Sequence, residues 1–160
     1  MAILTNSGRV VMAASVKARP IHLAWGSGDP AWDTTPEPET TTDAALVNEI
    51  GRRTITSVVY CEPDALGEII VPTGRFTASA TPSRHLLLKF NYDFTDAPTS
   101  TIRELAVYVG TTFNPLLPPG QMYFEPADVV DPGRLLVIER TPKFKRSPSV
   151  RQSFEFVITF

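Results

Sequence analysis

The sequence predicts a mainly β (α+β) fold: an antiparallel β-sheet or sandwich with two short N-terminal helices. Three observations support this prediction. From residue 53 onward, apolar and polar residues alternate with the period of two that is typical of strands. Proline occurs 15 times, and because it cannot lie inside a helix or a central strand, it must separate elements. Before residue 52, two segments carry the helical period instead.

The chain length sets the expected domain organisation. A chain of 160 residues with a 42% hydrophobic fraction is sufficient for one hydrophobic core. We therefore expect a single structural domain over residues 1–160. Within it, a helix–loop–helix segment at 1–52 would pack on an antiparallel β region at 53–160.

The first predicted helix has the body GRVVMAASVKA, residues 8–18. Thr5, Asn6 or Ser7 can cap its free N–H groups, and Pro20 ends it. A short strand, IHLAW, follows at residues 21–25. The helix residues expected to share one buried face are Val10, Val11, Ala14 and Ala18.

A long irregular loop is predicted at residues 26–42, where Gly, Pro, Thr, Asp and Glu dominate. The segment TDAALVNEIG, at residues 42–51, then has the pattern of a two-turn helix. Thr42 would be its N-cap and Gly51 its stop. The apolar residues expected on its buried face are Leu46, Val47 and Ile50.

The remaining elements are predicted as strands bounded by Pro, Gly or Asp. They are RTITSVVYCE, EIIV, GRFTASAT, RHLLLKFNYDF, TIRELAVYVG, QMYF, RLLVIERT and RQSFEFVITF. The last strand alternates most clearly, so the final residue of the chain is expected to join the core. Each of its large apolar side chains would contribute about 1.5–3 kcal/mol if buried. The four side chains on that face are Phe154, Phe156, Ile158 and Phe160.

The stretch WGSGDPAW, at residues 25–32, is the most conspicuous candidate for a chemical site. It lacks the third glycine of a dinucleotide-binding turn, the lysine of a phosphate-binding loop and the G-x-S-x-G pattern of a nucleophilic serine. Carboxylates nearby would also repel an anion. We therefore interpret it as a glycine turn that redirects the chain, and Ser27 is not expected to be a nucleophile.

Other titratable residues give no catalytic pattern. His22 and His85 stand singly in strand-like segments, and the only cysteine, Cys61, has no basic neighbour that would activate its thiol. A buried, inert thiol is the favoured interpretation of Cys61. The carboxylates of residues 29–49 are too irregularly spaced for a calcium loop. We therefore predict no catalytic, cofactor-binding or metal-binding residue, and no enzyme activity.

Charge and hydropathy exclude further classes of function. A formal net charge of −2 gives no general attraction to nucleic acid or to an anionic membrane surface. No apolar run is long enough for a transmembrane helix, and the first residues do not have the pattern of a secretory signal. We expect a chain made and folded in a reducing cytoplasm, with neither a membrane nor a small-molecule substrate as partner.

Two segments of opposite charge stand out. Residues 29–49 are acidic without a basic residue, and residues 140–151 are basic without an acidic one. A solvated hairpin is the favoured interpretation of the basic segment. A docking patch for an acidic neighbour, such as the 29–49 segment of another copy, comes second, and a nucleic-acid site comes third. Complementary charges in one chain favour protein assembly over DNA binding.

Several motifs together resemble a known family. The segments LTNSGRVVMAASVKARPIHLAWGSGDPAW and ALVNEIGRRTITSVVY are similar to the N-terminal region of bacteriophage tail-collar and tail-fibre proteins and of small baseplate proteins of contractile tails. The G-x-G turn at 26–28 and the strand IRELAVYVG at 102–110 match this pattern. The L-x-x-E-x-x-R element is filled by Leu46, Glu49 and Arg52. The resemblance covers residues 4–110.

The resemblance implies a structural virion protein that joins tail parts and is made in the host cytoplasm. Its partners would be other baseplate or fibre proteins and copies of itself. Because the chain ends at Phe160, we do not expect the long shaft of a fibre protein. The candidate interface residues are Trp25, Trp32, Lys143, Phe144, Lys145 and Arg146. Core packing is the alternative for both tryptophans, and for Trp25 the two interpretations are evenly balanced.

Two other functions remain as alternatives. The first is a carbohydrate- or ligand-binding β-sandwich module in host recognition. Its exposed aromatic contacts would be Trp32, Tyr92 and Tyr123. The second is an enzyme whose site is assembled from residues distant in sequence, which the motifs favour least.

Overall fold

The computed structural model describes residues 1–160, and the chain divides into two compact units. The first unit comprises Met1–Arg19, Ile55–Asn91 and Ser153–Phe160. The second unit comprises Pro20–Thr54 and Tyr92–Gln152. These boundaries do not follow the expected division at residue 52. That the whole chain is one structural domain stays a prediction.

The predicted antiparallel β architecture is confirmed, and the strands are numbered in chain order. They are β1 (Ile21–Gly26), β2 (Glu49–Thr54), β3 (Ser57–Pro63), β4 (Ile69–Val71), β5 (Gly74–Ser79), β6 (His85–Tyr92), β7 (Thr101–Val109), β8 (Thr112–Phe113), β9 (Tyr123–Phe124), β10 (Val129–Asp131), β11 (Arg134–Lys145) and β12 (Gln152–Thr159).

Three sheets are formed. The second unit holds a five-stranded sheet in the order β11-β7-β1-β2-β9 and a small β10-β8 sheet. The sheet of the first unit has the order β12-β6-β3-β5-β4. Every residue of β1 is buried because this strand lies between β7 and β2. A central strand covered on both faces is expected to be apolar throughout, as this one largely is.

The first predicted helix is confirmed as α1 (Asn6–Lys17). Thr5 is its N-cap, and the Gly8 N–H donates to the Thr5 hydroxyl at 3.2 Å. The residue that is fully buried on the helix is Ala13, with Val10 and Ala14 half-buried beside it. The predicted buried face was therefore partly wrong, because Val11 and Ala18 are exposed.

The second predicted helix is absent, so the prediction of two helices was wrong. Residues 42–48 are irregular, and Glu49 begins β2. The N–H groups that a helix would have engaged find other partners: Val47 and Asn48 donate to the Glu104 carboxylate at 3.1 and 3.0 Å. Pairing of β2 with β1 then fixes the following residues as a strand. Long-range pairing has overridden the local helical pattern.

The predicted strand RTITSVVYCE is divided between two sheets. Its first residues belong to β2, and Ser57 begins β3, which pairs with β5 and β6. Ile55 and Thr56 form the break, where the Thr56 N–H donates to the carbonyl of Lys89 at 2.8 Å. This break is also the point at which the chain passes from the second unit to the first.

The last strand, β12, lies at the edge of its sheet. Its apolar residues Phe154, Phe156 and Ile158, and Phe160 just after it, are half-buried. The final residue, which was expected to join the core, is therefore only partly covered. An edge strand has a neighbour on one side only, which limits how deeply its side chains are covered. Val157, on the opposite face, packs against a buried cluster that includes Cys61 and Phe76.

Helical structure beyond α1 is limited to two short 3₁₀ turns, Pro30–Asp33 and Pro126–Asp128. None of the helices has the length and apolar character needed to cross a membrane.

Candidate contact surface

The acidic loop of the second unit is held at both ends. We call its residues 29–43 the strap. Before the strap, the Ser27 N–H donates to the carbonyl of Asn48 at 2.9 Å, and the Asn48 amide donates to the Ser27 hydroxyl at 2.6 Å. After the strap, the buried Glu104 carboxylate accepts the N–H groups of Val47 and Asn48. The two ends of the loop are thereby fixed next to β7.

The glycine turn positions Trp32. Gly28 has a φ of +56°, a left-handed conformation that favours glycine, and a Cβ at this position would overlap the Trp32 ring. Asp29 caps the following 3₁₀ turn, since the Ala31 N–H donates to its carboxylate at 2.8 Å. The interpretation of WGSGDPAW as a turn that redirects the chain is confirmed: the turn places the indole over the backbone of Gly28.

Asp33 fixes the start of the strap to two strands. Arg103 on β7 donates from Nε and Nη2 to the two Asp33 oxygens at 2.8 and 3.0 Å. Lys143 on β11 donates to Oδ2 at 2.7 Å. These hydrogen bonds, from Arg103 first and Lys143 second, hold the pKa of Asp33 well below its usual range. Asp33 is therefore ionised and shared between two cations.

Arg140 holds the remainder of the strap. Its backbone N–H donates to the Glu39 carboxylate at 2.6 Å, and Nη1 donates to the carbonyls of Glu37 and Pro38 at 3.2 and 2.5 Å. The guanidinium carbon lies 4.8 Å from the ring centroid of Trp32, within the range of a cation–π contact. The Arg140 side chain is only 9% exposed, and its Nε has no partner.

The strap and the end of β11 enclose a pocket of about 460 Å³. Apolar surface comes from Trp32, Pro36 and Pro142, and charge comes from residues of both signs. The acidic and basic segments predicted from the sequence therefore meet within one chain. The prediction that residues 140–151 form a solvated hairpin was wrong, because β11 continues to Lys145 and Arg146 is buried.

Trp25, one of the candidate interface residues, is fully buried. Its ring stacks on Tyr92 with centroids 3.6 Å apart, and its Nε1 donates to the Tyr123 hydroxyl at 3.0 Å. Core packing, the alternative left open by the sequence, accounts for this residue. The same stack buries Tyr92, whose hydroxyl donates to the carbonyl of Leu23. Tyr92 is therefore not the exposed aromatic that a carbohydrate site at this position would need.

Arg146 is also buried rather than presented at the surface. Its guanidinium carbon lies 5.1 Å from the Trp25 ring centroid. The guanidinium donates to the carbonyls of Val150 and Asp93 at 2.9 and 2.8 Å, and more weakly to that of Asp96. A cation that satisfies several loop carbonyls at once fixes the conformation of the loops. The role of Arg146 is thus to hold the loops of its own unit together.

The other interface candidates lie at or near the surface. Lys143 and Lys145 are exposed, whereas Trp32 and Phe144 are half-buried. The structure brings Trp32 and Lys143 together around the pocket. Sequence reasoning did not single out Asp33, Arg103 or Glu104 as site residues. The available signal was the charged pair Arg103-Glu104 inside the otherwise apolar strand TIRELAVYV.

The comparisons with known proteins decide the family. The whole chain, residues 1–160, matches the family described as "Baseplate wedge 3 tail fiber network component". The chain belongs to this family. The predicted baseplate and tail-fibre family is thereby confirmed, and the role is that of a structural component of the phage baseplate, located in the virion tail. A search of curated proteins found no match.

One motif of the resemblance has a clear physical role in this baseplate wedge component. Arg52 donates from Nε and Nη2 to both oxygens of Glu49, each at 2.7 Å. The Arg52 guanidinium also donates to the Thr111 hydroxyl and to the carbonyl of Pro132, and it lies 4.3 Å from the Tyr108 ring centroid. The Glu49–Arg52 element therefore ties β2 to the loops that follow β7 and β10.

Packing and hydrogen bonding account for the positions of the two histidines and the cysteine of the wedge component. His22 lies edge-on to Phe113 at a centroid distance of 4.9 Å, and His85 Nδ1 is 2.7 Å from the Thr159 hydroxyl. Cys61 is buried, as predicted, and burial raises the pKa of its thiol to about 11. No group of three or more His, Cys, Asp or Glu side chains is arranged to hold a metal ion.

His22 makes the second unit sensitive to acid. Burial, together with the nearby Arg52, lowers the pKa of His22 to about 4 from 6.5, and its Nδ1 has no partner. Between these pH values the unfolded chain binds a proton that the folded chain does not. The free energy of unfolding should therefore fall by about 3 kcal/mol as the pH is lowered from 6.5 to 4. Urea unfolding at several pH values measures this.

The matched variant is His22→Leu, which does not titrate. The difference in free energy of unfolding between wild type and variant should change with pH only between 6.5 and 4. A wild-type profile parallel to that of His22→Leu over this range would contradict the assignment.

Arg140 is expected to control the mobility of the strap. In Arg140→Met, the carbonyls of Glu37 and Pro38 lose their donor. The free energy needed to open the strap should therefore fall by about 1–3 kcal/mol. A glutamate-specific protease should then cleave within the strap at least about tenfold faster. Arg134→Met, at the exposed opposite end of β11, is the control. Equal cleavage rates for the two variants would show that Arg140 does not hold the strap.

Proposed function

We propose that this wedge component is a structural, non-catalytic subunit that joins parts of the tail, and that the strap and the end of β11 form one of its contact surfaces. The observation that carries the proposal is the fixed strap itself. Its exposed residues are held in one arrangement by Arg103, Arg140 and Lys143 before any partner is present. A loop ordered in advance loses less conformational entropy on binding.

The composition of this surface supports a protein partner. Trp32, Pro36 and Pro142 supply rigid apolar surface around the pocket, and tryptophan is enriched among residues that dominate binding energies. Lys145, two residues beyond Lys143 on β11, is exposed, and none of the ion pairs includes it. A partner with an apolar anchor and a nearby carboxylate would complement this surface.

The partners we propose are other baseplate or tail-fibre proteins and further copies of this chain. Nucleic acid, membrane and small-molecule partners have no role in the proposal, nor has a cofactor. Synthesis and folding would take place in the host cytoplasm before assembly. The carbohydrate-binding alternative is weaker, because Tyr92 is buried and Tyr123 is half-buried against Trp25.

Charge reversal tests the contact surface. In Lys145→Glu, a cation that makes no recorded ion pair becomes an anion, so the fold should be retained while docking of an acidic partner weakens. The control is Arg134→Glu, the same charge change at the other end of the same strand. The measurement is incorporation of each variant into tails of a phage that lacks its own copy, assayed by quantitative mass spectrometry of purified particles.

We expect incorporation of Lys145→Glu to be reduced at least about tenfold relative to Arg134→Glu, because like charges across an interface cost several kcal/mol. Equal incorporation of the two variants would contradict the contact surface. Complete tails formed without the protein would contradict the structural role itself.

A further inference from the structure

The first unit carries an apolar surface that the fold does not cover. Of the large hydrophobic side chains that are exposed, five lie within the first twelve residues, and the other eight are spread over residues 47–150. Four of the five are Ile3, Leu4, Val11 and Met12, which are 82%, 50%, 67% and 46% exposed. A concentration of exposed apolar side chains marks an interaction site more often than scattered single residues do.

Three of these residues, Leu4, Val11 and Met12, form a stripe along α1. Leu4 folds back on the first turn of the helix, because a Cβ on Gly8 would lie 3.0 Å from its Cδ1. Val11 and Met12 follow Gly8 by three and four positions, so they lie on the same side of the helix, one turn further on. We call Leu4, Gly8, Val11 and Met12 the N-terminal stripe. The opposite side of α1, centred on Ala13, is the buried one.

The charged side chains of α1 and of the residues on either side of it in sequence are of one sign. Arg9, Lys17 and Arg19 are the charged side chains of the first 28 residues, and Asp29 is the first carboxylate. Lys17 lies 5.5 Å from the Tyr60 ring centroid within its own unit. No ion pair is recorded for Arg9 or Arg19. The surface that covers the stripe should therefore be apolar at its centre and carry carboxylates at its rim.

A second copy that packs stripe against stripe does not fit that description. Two stripes packed against each other would bring two sets of cations together without an intervening carboxylate, and like charges oppose association. The main acidic segment of the chain, the strap, already has partners in Arg103, Arg140 and Lys143. The rim carboxylates are therefore expected on a different protein.

We propose that the N-terminal stripe docks into an apolar groove with a carboxylate-lined rim on another protein of the baseplate or tail-fibre network. This inference rests on the proposed function, and it concerns a surface separate from the strap. The binding mode is that of an amphipathic helix laid in a groove. Leu4, Val11 and Met12 supply the apolar contact, and Arg9 and Arg19 pair with the rim.

Thiol protection tests the docking on the assembled particle. Because Cys61 is buried, Val11→Cys has a single accessible thiol. The measurement is the rate of maleimide labelling of this variant in the free protein and in purified tails. Leu66→Cys, an exposed position in the same unit, shows that the reagent enters the particle. We expect Val11→Cys to react at least about tenfold more slowly in tails than in the free protein.

The chemistry of the groove is tested by three further substitutions. Met12→Glu and Arg9→Glu should each reduce incorporation into tails, whereas Arg9→Lys, which keeps the charge, should not. Flotation of the free protein with vesicles containing anionic phospholipid examines a bilayer as the covering surface. Binding to vesicles with loss of binding in Met12→Glu would overturn docking to a protein.

The outcomes separate this inference from the proposed function. Absence of the wild-type chain from intact tails would defeat both. Presence of the chain with equal labelling of Val11→Cys in free and assembled protein would overturn only the docking of the stripe. Unchanged incorporation of Arg9→Glu would overturn the carboxylate-lined groove.

Discussion

Trp25→Ala should lower the free energy of unfolding of the second unit by about 3–5 kcal/mol, the range observed for large-to-small changes at buried tryptophan. The substitution removes the ring that stacks on Tyr92 and lies beneath the Arg146 guanidinium. It also removes the Nε1–H that the Tyr123 hydroxyl accepts. Because whole-domain stabilities are commonly about 5–15 kcal/mol, we expect such a loss to leave this unit largely unfolded at elevated temperature.

The matched control is Trp32→Ala, the same substitution at the half-buried tryptophan of the strap. It should cost about 1 kcal/mol, because it removes one cation–π contact and one hydrogen bond at the surface. Urea unfolding followed by the fluorescence of the remaining tryptophan reports the second unit, since both tryptophans belong to it. Equal losses for the two variants would contradict the core position of Trp25.

Arg52→Met should also cost about 3–5 kcal/mol, because it leaves the Glu49 carboxylate without its counter-ion in a largely buried site. The side chains of Arg52 and Glu49 are only 2% and 18% exposed. The Thr111 hydroxyl and the Pro132 carbonyl lose a donor in the same step. Thermal or urea unfolding of the variant measures the loss.

A double variant distinguishes a broken ion pair from lost packing. Glu49→Gln combined with Arg52→Met should recover part of the stability, because no uncompensated charge remains. The comparison pair is Lys89–Glu155, which is exposed at 41% and 37%, so Lys89→Met should cost no more than about 1 kcal/mol. A cost for Arg52→Met as small as that for Lys89→Met would contradict the buried ion pair.

The sequence predicted the elements whose determinants are local. Alternation in the segments that became β6, β7, β11 and β12 was sufficient to predict strands. The short segment IHLAW was sufficient to predict β1, and Thr5 and Pro20 delimit the first helix correctly. The strands β8 and β10 have two and three residues, which is too short for a periodic signal.

The prediction of a second helix was wrong because distant residues determine the structure of this segment. Leu46 and Ile50 have helical spacing, but the N–H groups beside them are satisfied by Glu104, more than fifty positions further along the chain. A carboxylate that far away in sequence gives no periodic signal at residues 42–51. The same limit applies to the buried face of α1, since the period alone did not show whether the side of Val11 or that of Ala13 would be covered.

The candidate surface was predicted in its parts but not in its arrangement. The opposite charges of residues 29–49 and 140–151 are visible in the sequence. That they meet within one chain depends on the neighbouring positions of β7 and β11 in the sheet. Lys143 and Lys145 were correctly expected at the surface, whereas Arg146, close by in sequence, is buried with its guanidinium over the Trp25 ring. The interface role of the exposed residues stays a prediction.

Cross-linking mass spectrometry of purified tail particles tests the central claim most directly. A lysine-reactive reagent would report the neighbours of Lys143 and Lys145 at the end of β11. The account predicts that the chain is present in intact tails and that these lysines cross-link to another baseplate or tail-fibre protein. Intact tails that lack the chain, or cross-links from both lysines only to residues of the same chain, would contradict it.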